Sequence, residues 1–251
     1  MSAPPRDPED LLGVLDEAAQ AARVALEGTN PGDRRRRGER LGQYAFDVVT
    51  DDAVCAVLHR EGLGVLSEES GRSGPDSGLL AVVDPVDGST NASIGLSWYA
   101  TSLCILDATG PWVALVANLV SGVRYHAIRE RGAFRDGGAI HPSTTSELSR
   151  AVVGISGFPR RSPGWSQFRA LGAASLDMCA VAEGTLDGYL VAGHSALSVW
   201  DYVAAMLVCT EAGAVVAECD GLDLAVRDRS PRRPVAAATP ALAAELVGAD
   251  L

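Results

Sequence analysis

Hydrophobic residues are spaced three or four positions apart over residues 10–27, and this spacing predicts an amphipathic helix. The apolar positions of this stripe are Leu11, Leu15, Ala18, Ala22 and Leu26. Residues 28–42 are mostly polar and predict a loop. A second helix is predicted from Thr50, a residue suited to cap a helix, to a stop at Gly62. The chain is therefore expected to begin with two helices joined by a polar loop.

Two short apolar runs follow, and each ends in acidic residues. Residues 64–67 lead into Glu68 and Glu69, and residues 79–83 lead into Asp84. Runs of this length predict buried strands whose carboxyl ends carry an acid. Further strands are predicted as three segments between 99 and 128 and at 151–155, 186–191, 214–217 and 235–238. Further helices are predicted at 173–183, at 200–212 and from Pro240 onwards.

The order of these elements predicts a layered α+β or α/β fold. Strands dominate the middle of the first half, whereas strands and helices alternate in the second half. No internal repeat or long linker interrupts the chain. We expect an N-terminal α+β lobe over 1–150 that carries most of the acidic residues of interest. A C-terminal α/β lobe over 151–251 is expected to complete the site.

Composition and charge narrow the functional classes. The 251 residues are 47% hydrophobic, which is enough for a sizeable core, and the formal net charge of -11 repels phosphate backbones. No apolar run approaches the length of a membrane span. Five cysteines without a C-x-x-C spacing argue against both a disulfide framework and a zinc site. We therefore expect a cytoplasmic protein that contacts neither nucleic acid nor membrane.

The acidic residues at the predicted strand ends indicate a metal site. Asp84 and Asp87 are separated by Pro85 and Val86, so both carboxylates can face one volume, and Glu68 can face the same volume. Packing several anions together is costly unless cations lie between them. Oxygen ligands without a nearby histidine or thiolate favour Mg²⁺, Mn²⁺ or Ca²⁺. Taken alone, the Asp-Pro and Asp-Gly pairs favour an ordinary turn over a metal site.

The residues after this turn have the chemistry of an anion cradle. If a helix begins here, the backbone amides of Gly88, Ser89 and Thr90 point towards one site. The hydroxyls of Ser89 and Thr90 either cap that helix or orient a water molecule. The run Arg34 to Arg37 is, by contrast, interpreted as a solvated face of its loop.

Two segments that lie more than a hundred residues apart resemble the signatures of the inositol monophosphatase family. The first is D-P-V-D-G-S-T-N at 84–91, and the second is W-D-Y-V-A-A at 200–205, which runs on to E-A-G at 211–213. Similar matches occur at 47–50, 67–69 and 182–188. The resemblance implies a five-layered αβαβα sandwich, a Mg²⁺-dependent phosphatase with two or three ions per site, and a homodimer. Its substrate would be a small phosphorylated metabolite, most simply inositol 1-phosphate.

The resemblance also implies a role for individual residues. Glu68, Asp84 and the carbonyl of Val86 would hold the first Mg²⁺, and Asp84, Asp87 and Asp201 the second. Ser89, where the family usually has threonine, would position the attacking water together with Glu68. The phosphate and the rest of the substrate would contact Asp87, Gly88, Ser89, Thr90, Gly172, Ala174, His194 and Asp201.

Two positions depart from the family pattern. Many members have an acid where this chain has Ala53, and Asp52 is the candidate substitute as a third-metal ligand and catalytic residue. Where inositol-specific members often have a glutamate, this chain has His194, which leaves the substrate open. A solvated acid and a structural histidine are the alternative interpretations.

Other functions stay open at this point. Fructose 1,6-bisphosphate and histidinol phosphate are alternative substrates for the same site, and 3'-phosphoadenosine 5'-phosphate is less favoured. From other classes, the chain could be a regulatory or scaffold protein that keeps the fold without turnover, or a plain cation-binding module. The complete set Glu68, Asp84, Asp87 and Asp201 argues against a degenerate enzyme.

Overall fold

The computed structural model describes residues 6–40 and 42–249, so position 41 and both chain ends lie outside the description. The helices in these residues are α1 (Pro8–Glu27), α2 (Ala45–Arg60), α3 (Ser89–Ile94), α4 (Ala174–Ala182), α5 (Val199–Ala212) and α6 (Pro240–Val247). The strands are β1 (Gly64–Ser67), β2 (Gly71–Ser73), β3 (Leu80–Asp87), β4 (Ala100–Asp107), β5 (Gly110–Asn118), β6 (Arg124–Ile128), β7 (Ala133–Arg135), β8 (Gly138–Ala139), β9 (Val152–Gly157), β10 (Gln167–Arg169), β11 (Gly188–Ala192), β12 (Val215–Glu218) and β13 (Pro234–Ala237). Short 3₁₀ turns lie at Pro31–Asp33 and Leu148–Arg150.

The strands form two sheets, with β1–β8 in the first and β9–β13 in the second. The first sheet has the order β2-β1-β3-β4-β5-β6-β7-β8, and the second has the order β10-β9-β11-β13-β12. β1 and β3 run parallel, whereas β3, β4, β5 and β6 pair antiparallel in succession. The boundary between the sheets falls near the predicted division at 150/151, but one hydrophobic cluster includes residues from both sides of it. Whether either lobe is an independent unit stays a prediction.

The helices lie in three layers around the two sheets. α1 and α2 pack on each other and on the first sheet, α4 and α5 lie between the sheets, and α6 packs on the second sheet. Each helix and each sheet has a hydrophobic face, and burying these faces away from water is favourable. Helices therefore pack against the sheets in layers. The predicted five-layered αβαβα sandwich is confirmed.

The start of α2 differs from the prediction. The helix begins at Ala45, five residues before the predicted N-cap Thr50, which lies inside the helix and donates its hydroxyl to the carbonyl of Phe46 at 2.7 Å. The helix begins earlier because the Asp47 carboxylate accepts the backbone N–H of Tyr44 at 2.8 Å. This capping contact satisfies a donor at the helix end and places Asp47 in the first turn.

Short strands account for most of the other differences. β2 and β10 are three residues long, and both lie at the edge of a sheet, where they were not predicted. Glycines and polar residues in these segments lack the apolar alternation that predicts a strand, so neighbouring strands must supply the pairing. None of the described helices is both long and apolar enough to cross a membrane.

Candidate metal centre

The carboxyl ends of β1 and β3 bring Glu68 and Asp84 to one edge of the first sheet. The two strands are parallel with Ser67 opposite Val83, and the backbone N–H of Glu68 donates to the Val83 carbonyl at 3.1 Å. Glu68 therefore leaves β1 directly beside Asp84. The parallel pairing thus explains why two acids that are 16 positions apart in the sequence become neighbours.

An irregularity in β3 turns Asp84 and Asp87 towards the same side. The register of β3 against β4 shifts between these two residues, at the position of Pro85, which has no N–H to donate to a neighbouring strand. The backbone N–H of Val86 instead donates to an Asp84 carboxylate oxygen at 3.0 Å. The predicted turn is therefore a kinked continuation of the strand, and the helix α3 begins immediately after it.

Asp201 reaches the same volume from the second half of the chain. It lies in the first turn of α5, where one carboxylate oxygen accepts the backbone N–H of Ser198 at 2.7 Å. This capping contact fixes the side chain. Glu68, Asp84 and Asp201 each place a carboxylate oxygen within 4.8 Å of the others. Such a set of oxygen ligands fits a hard divalent cation such as Mg²⁺.

Burial makes this cluster of carboxylates costly to ionise. It raises the pKa of Glu68 to about 7, with repulsion from neighbouring acids adding to the effect. The pKa values of Asp84 and Asp201 are raised well above the ordinary range for the same reasons. A bound cation would remove this cost by favouring the charged forms. The electrostatics therefore fit a metal centre better than a structural cluster.

We expect the metal-free protein to lose stability as the pH rises from about 5.5 to 8. The folded-state pKa of Glu68 lies near 7 and its ordinary value is 4.5, so folding favours the protonated acid and that stabilisation is lost as the pH rises through 7. A net effect of about 2 kcal/mol corresponds to a melting-temperature decrease of roughly 4–8 °C for a chain of this size. Thermal unfolding in EDTA at several pH values measures it.

Saturating Mg²⁺ should reverse this dependence, since the cation binds the ionised carboxylates. The stabilisation by Mg²⁺ should therefore be larger at pH 8 than at pH 5.5. A metal-free melting temperature that increases over this pH range would contradict the buried-carboxylate interpretation.

Asp87 lies beside this group but is held differently. Its carboxylate accepts the backbone N–H of Ser175 at 2.7 Å and of Ala174 at 3.3 Å, as well as the Ser175 hydroxyl. Burial raises the pKa of Asp87 to about 6, and these hydrogen bonds oppose the increase. Asp87 thus connects the cavity to the first turn of α4 while still lining the cavity.

Ser89 forms a pair with Asp47, a residue to which the sequence had given no individual role. The Ser89 hydroxyl lies 2.8 Å from an Asp47 carboxylate oxygen and 2.7 Å from the Val86 carbonyl, and it can donate to either. Asp47 is 2% exposed, and burial raises its pKa to about 7. The sequence signal for Asp47 was its place in segment 47–50, which resembles the family pattern. That segment does not indicate which residue Asp47 contacts.

Asp52 and His194 do not join this group. Asp52 is exposed and lines a neighbouring cavity together with Arg36, Arg37 and Glu69. The helical turn of α2 that faces the carboxylates presents Asp47 instead. His194 is exposed and contacts Arg160. Neither position therefore supports the predicted contact with a third metal or with the substrate.

A tight junction fixes the predicted phosphate cradle. Gly88 has a φ of 88°, and a Cβ atom there would lie 3.1 Å from the carbonyl oxygens of both Gly172 and Trp98, so only glycine fits. Asn91 ties the same junction together by donating to the carbonyls of Trp98 and Leu171, each at 2.7 Å. The segment around Gly172 is thereby held against the start of α3.

The acids and the cradle share one cavity of about 520 Å³. A second cavity of about 290 Å³ adjoins it and shares Asp87, Gly172 and Asp201. Its remaining lining is mostly apolar or small: Ile155, Ser156, Gly157, Ala170, Ala174 and Leu197. The cavity lined by the acids therefore adjoins a second cavity that has no basic side chain among the described residues.

Comparison with known proteins agrees with this geometry. Residues 15–250 match the model of the inositol monophosphatase family. The chain is 31% identical over 231 residues to a fructose-1,6-bisphosphatase/inositol-1-monophosphatase of Archaeoglobus fulgidus, covering 87% of this chain and 88% of the relative. It is 30% identical over 233 residues to the Nus factor SuhB of Pasteurella multocida, covering 83% and 86%. The solved inositol monophosphatase of Anabaena superposes with a TM-score of 0.79 at 27% identity, over 96% of this chain and 95% of that one.

Proposed function

This chain belongs to the inositol monophosphatase family, and we propose that it is a Mg²⁺-dependent phosphomonoesterase that acts on a small sugar or cyclitol phosphate, with inositol 1-phosphate as its main substrate. The observation that carries the proposal is the cluster of Glu68, Asp84 and Asp201 within 4.8 Å, directly beside the Ser89–Asp47 pair. Carboxylates in this number, next to a hydroxyl that is already hydrogen-bonded to an acid, suit hydrolysis of a phosphate ester.

Glu68, Asp84, the Val86 carbonyl, Asp87 and Asp201 would hold the metal ions in this proposal. Bound Mg²⁺ would supply charge neutralisation for the phosphoryl oxygens and a lower pKa for a coordinated water. The Val86 carbonyl has two lone pairs, so it can ligate a cation while the Ser89 hydroxyl lies 2.7 Å away.

Ser89 and Asp47 would orient the attacking water. When Ser89 donates its hydrogen to Asp47, the lone pairs of its Oγ are available to accept a hydrogen bond from water. As the water attacks phosphorus, the P–O bond to the alcohol breaks, the water's proton passes to Ser89 Oγ and the serine proton passes to the Asp47 carboxylate. The departing alkoxide takes a proton from solvent water. Burial raises the pKa of Asp47 to about 7 in the metal-free protein, and this preference for the protonated form suits Asp47 to accept the proton. Glu68 would hold the same water from the other side.

The backbone amides of Gly88, Ser89 and Thr90 would bind the phosphoryl oxygens, and the adjoining cavity would hold the alcohol. That cavity exposes Ile155, Ala170 and Leu197 but no basic side chain among the described residues. A second phosphate would therefore lack a cation to neutralise it there. This difference between the two compartments favours a monophosphate over a bisphosphate.

We predict that phosphate release depends on Mg²⁺ and is at least about tenfold more efficient, as kcat/KM, with inositol 1-phosphate than with fructose 1,6-bisphosphate. Tenfold corresponds to about 1.4 kcal/mol, within the range expected for an unpaired charge at a partly solvated site. A phosphate-release screen that also contains histidinol phosphate and 3'-phosphoadenosine 5'-phosphate, with and without Mg²⁺, measures it.

The other outcomes of this screen distinguish the alternatives. A preference for the bisphosphate would favour the first activity in the name of the Archaeoglobus relative. No release from any ester, while Mg²⁺ still binds, would favour a regulatory protein, a possibility suggested by the relative named as a Nus factor. Release that persists in EDTA would contradict the metal-dependent mechanism itself.

A further inference from the structure

Arg229 lies at the mouth of the metal cavity, although it comes from a distant part of the chain. Its guanidinium stacks over the Trp200 ring at 5.2 Å, and one of its nitrogens donates to the backbone carbonyl of Glu68 at 3.1 Å. Trp200 immediately precedes Asp201, so Arg229 contacts the backbone of one predicted metal ligand and the neighbour of another. It also lines the cavity.

The loop that carries Arg229 is fixed by buried hydrogen bonds. This loop, residues 219–233, connects β12 and β13. At its base the Glu218 carboxylate accepts the backbone N–H groups of Asp220, Leu222 and Arg233, at 2.6 to 3.1 Å. The Tyr202 hydroxyl donates to the Leu224 carbonyl at 2.9 Å and holds the middle of the loop on α5. Arg229 is therefore presented to the cavity by a braced segment.

A second arginine donates to the same carbonyl. Arg40 donates to the Glu68 carbonyl at 3.3 Å, but its guanidinium also forms an ion pair with Glu69. Arg229 forms no ion pair within the part of the chain that the structure describes; its contacts are a neutral carbonyl and an aromatic ring. Two cations beside one neutral oxygen repel each other, and an anion bound between them would relieve that repulsion.

The balance of charges in the cavity also favours an anion bound beside the two arginines. Two divalent cations alone leave the ionised carboxylates in excess, and a phosphate dianion would be repelled. The two arginines bring the metal-loaded cavity to neutrality. A guanidinium also offers parallel N–H donors that match two phosphate oxygens, which an ammonium group does not. The carboxylates counted here are Asp47, Glu68, Glu69, Asp84, Asp87 and Asp201.

We propose that Arg229 is a phosphate-binding residue of this site, contacting the oxygens of the phosphoryl group that face away from the metal ligands. This inference rests on the proposed function and adds to it a recognition element for dianionic phosphoryl groups. Arg40 lines the same cavity and would add its positive charge there. Arg229 is exposed, so solvent screens its charge and its contribution to phosphate affinity should be moderate.

The test is binding of inorganic phosphate to the Mg²⁺-saturated protein by titration calorimetry. Arg229→Met is expected to raise the phosphate Kd about tenfold, and Arg229→Lys about threefold, because lysine keeps the charge and loses the fork. Arg227→Met is the matched control: it removes the same charge from the same loop, and Arg227 donates to the Asp107 carbonyl outside the cavity. It should change the Kd less than twofold.

Three results would overturn the proposal. These are an unchanged phosphate Kd in Arg229→Met, an equal loss in the Arg227→Met control, and a loss of Mg²⁺ affinity in Arg229→Met that accounts for the weaker phosphate binding. The last would make Arg229 a positioning residue for Glu68 instead. A wild-type protein that binds phosphate through Arg229 but hydrolyses no ester would leave this inference intact and contradict the proposed function.

Discussion

Asp84→Asn is expected to lower kcat/KM by about 10³-fold or more and to leave a folded protein that is more stable without metal than the wild type. Asp84 is the member of the cluster that both predicted metal sites share, so the substitution weakens both. Loss of about 4 kcal/mol of charge stabilisation in the transition state accounts for a thousandfold effect. Phosphate release at saturating Mg²⁺ and thermal unfolding in EDTA measure the two parts.

The gain in metal-free stability has a separate cause. Asp84 is 2% exposed, and its pKa is raised by burial and then by the charges of Glu68, Asp87 and Asp201. A neutral asparagine of the same shape removes that repulsion and the cost of ionising a buried acid as the pH rises. It keeps an oxygen that can accept the Val86 N–H, so the kink in β3 has no reason to change. Opposite signs for activity and stability distinguish a metal ligand from a structural residue.

Asp52→Asn is the matched control for this substitution. It makes the same chemical change at an exposed acid that lines the neighbouring cavity. We expect its kcat/KM within about twofold of the wild type, as is usual for surface substitutions away from a site. A large loss in Asp52→Asn would restore the sequence-based prediction of a third-metal role. Near-normal turnover in Asp84→Asn would contradict the metal-centre assignment.

The sequence predicted the layered architecture because most of the longer elements carry their own signal. The stripe of α1, the buried run of β3 and the glycine that ends α5 follow from local spacing and capping chemistry. Residues Glu68, Asp84 and Asp201 also lie together as the motifs suggested. Glu68 and Asp84 lie close together because β1 and β3 pair in parallel, and Asp201 joins them from the first turn of α5. Local sequence patterns predict that each of these acids lies at the end of its element.

What the sequence did not predict depends on contacts between distant segments. The sequence suggested Asp52 as the substitute for an acid expected at Ala53, whereas Asp47 is the α2 acid that lines the cavity with the carboxylates. Asp47 and Asp52 are five positions apart, which separates their directions by about 140° around the helix. Arg229 approaches Glu68 from 161 positions away along a loop, and no periodic pattern marks such a residue.

Ser89→Ala is expected to lower kcat by about 10² to 10³-fold with a small change in KM. The hydroxyl orients the attacking water and relays its proton to Asp47, and such proton transfer contributes in this range. Ser89→Thr should keep most of the activity, since it retains the hydroxyl. Ser93→Ala is the control, because Ser93 donates to the Thr90 carbonyl in the same helix and does not line the cavity.

Asp47→Asn should give a loss of similar size, and the double variant should be no worse than about the more damaging single one. Asp47 accepts from both Ser89 and the Tyr44 N–H through different oxygens, so asparagine leaves one acceptor for two donors. The capping loss costs about 1 kcal/mol of stability, which thermal unfolding separates from the kinetic effect. Residues that act as one unit are strongly non-additive. Losses that multiply in the double variant would show that Ser89 and Asp47 act independently, and the proton would then require another acceptor, with Glu68 as the remaining acid next to the water.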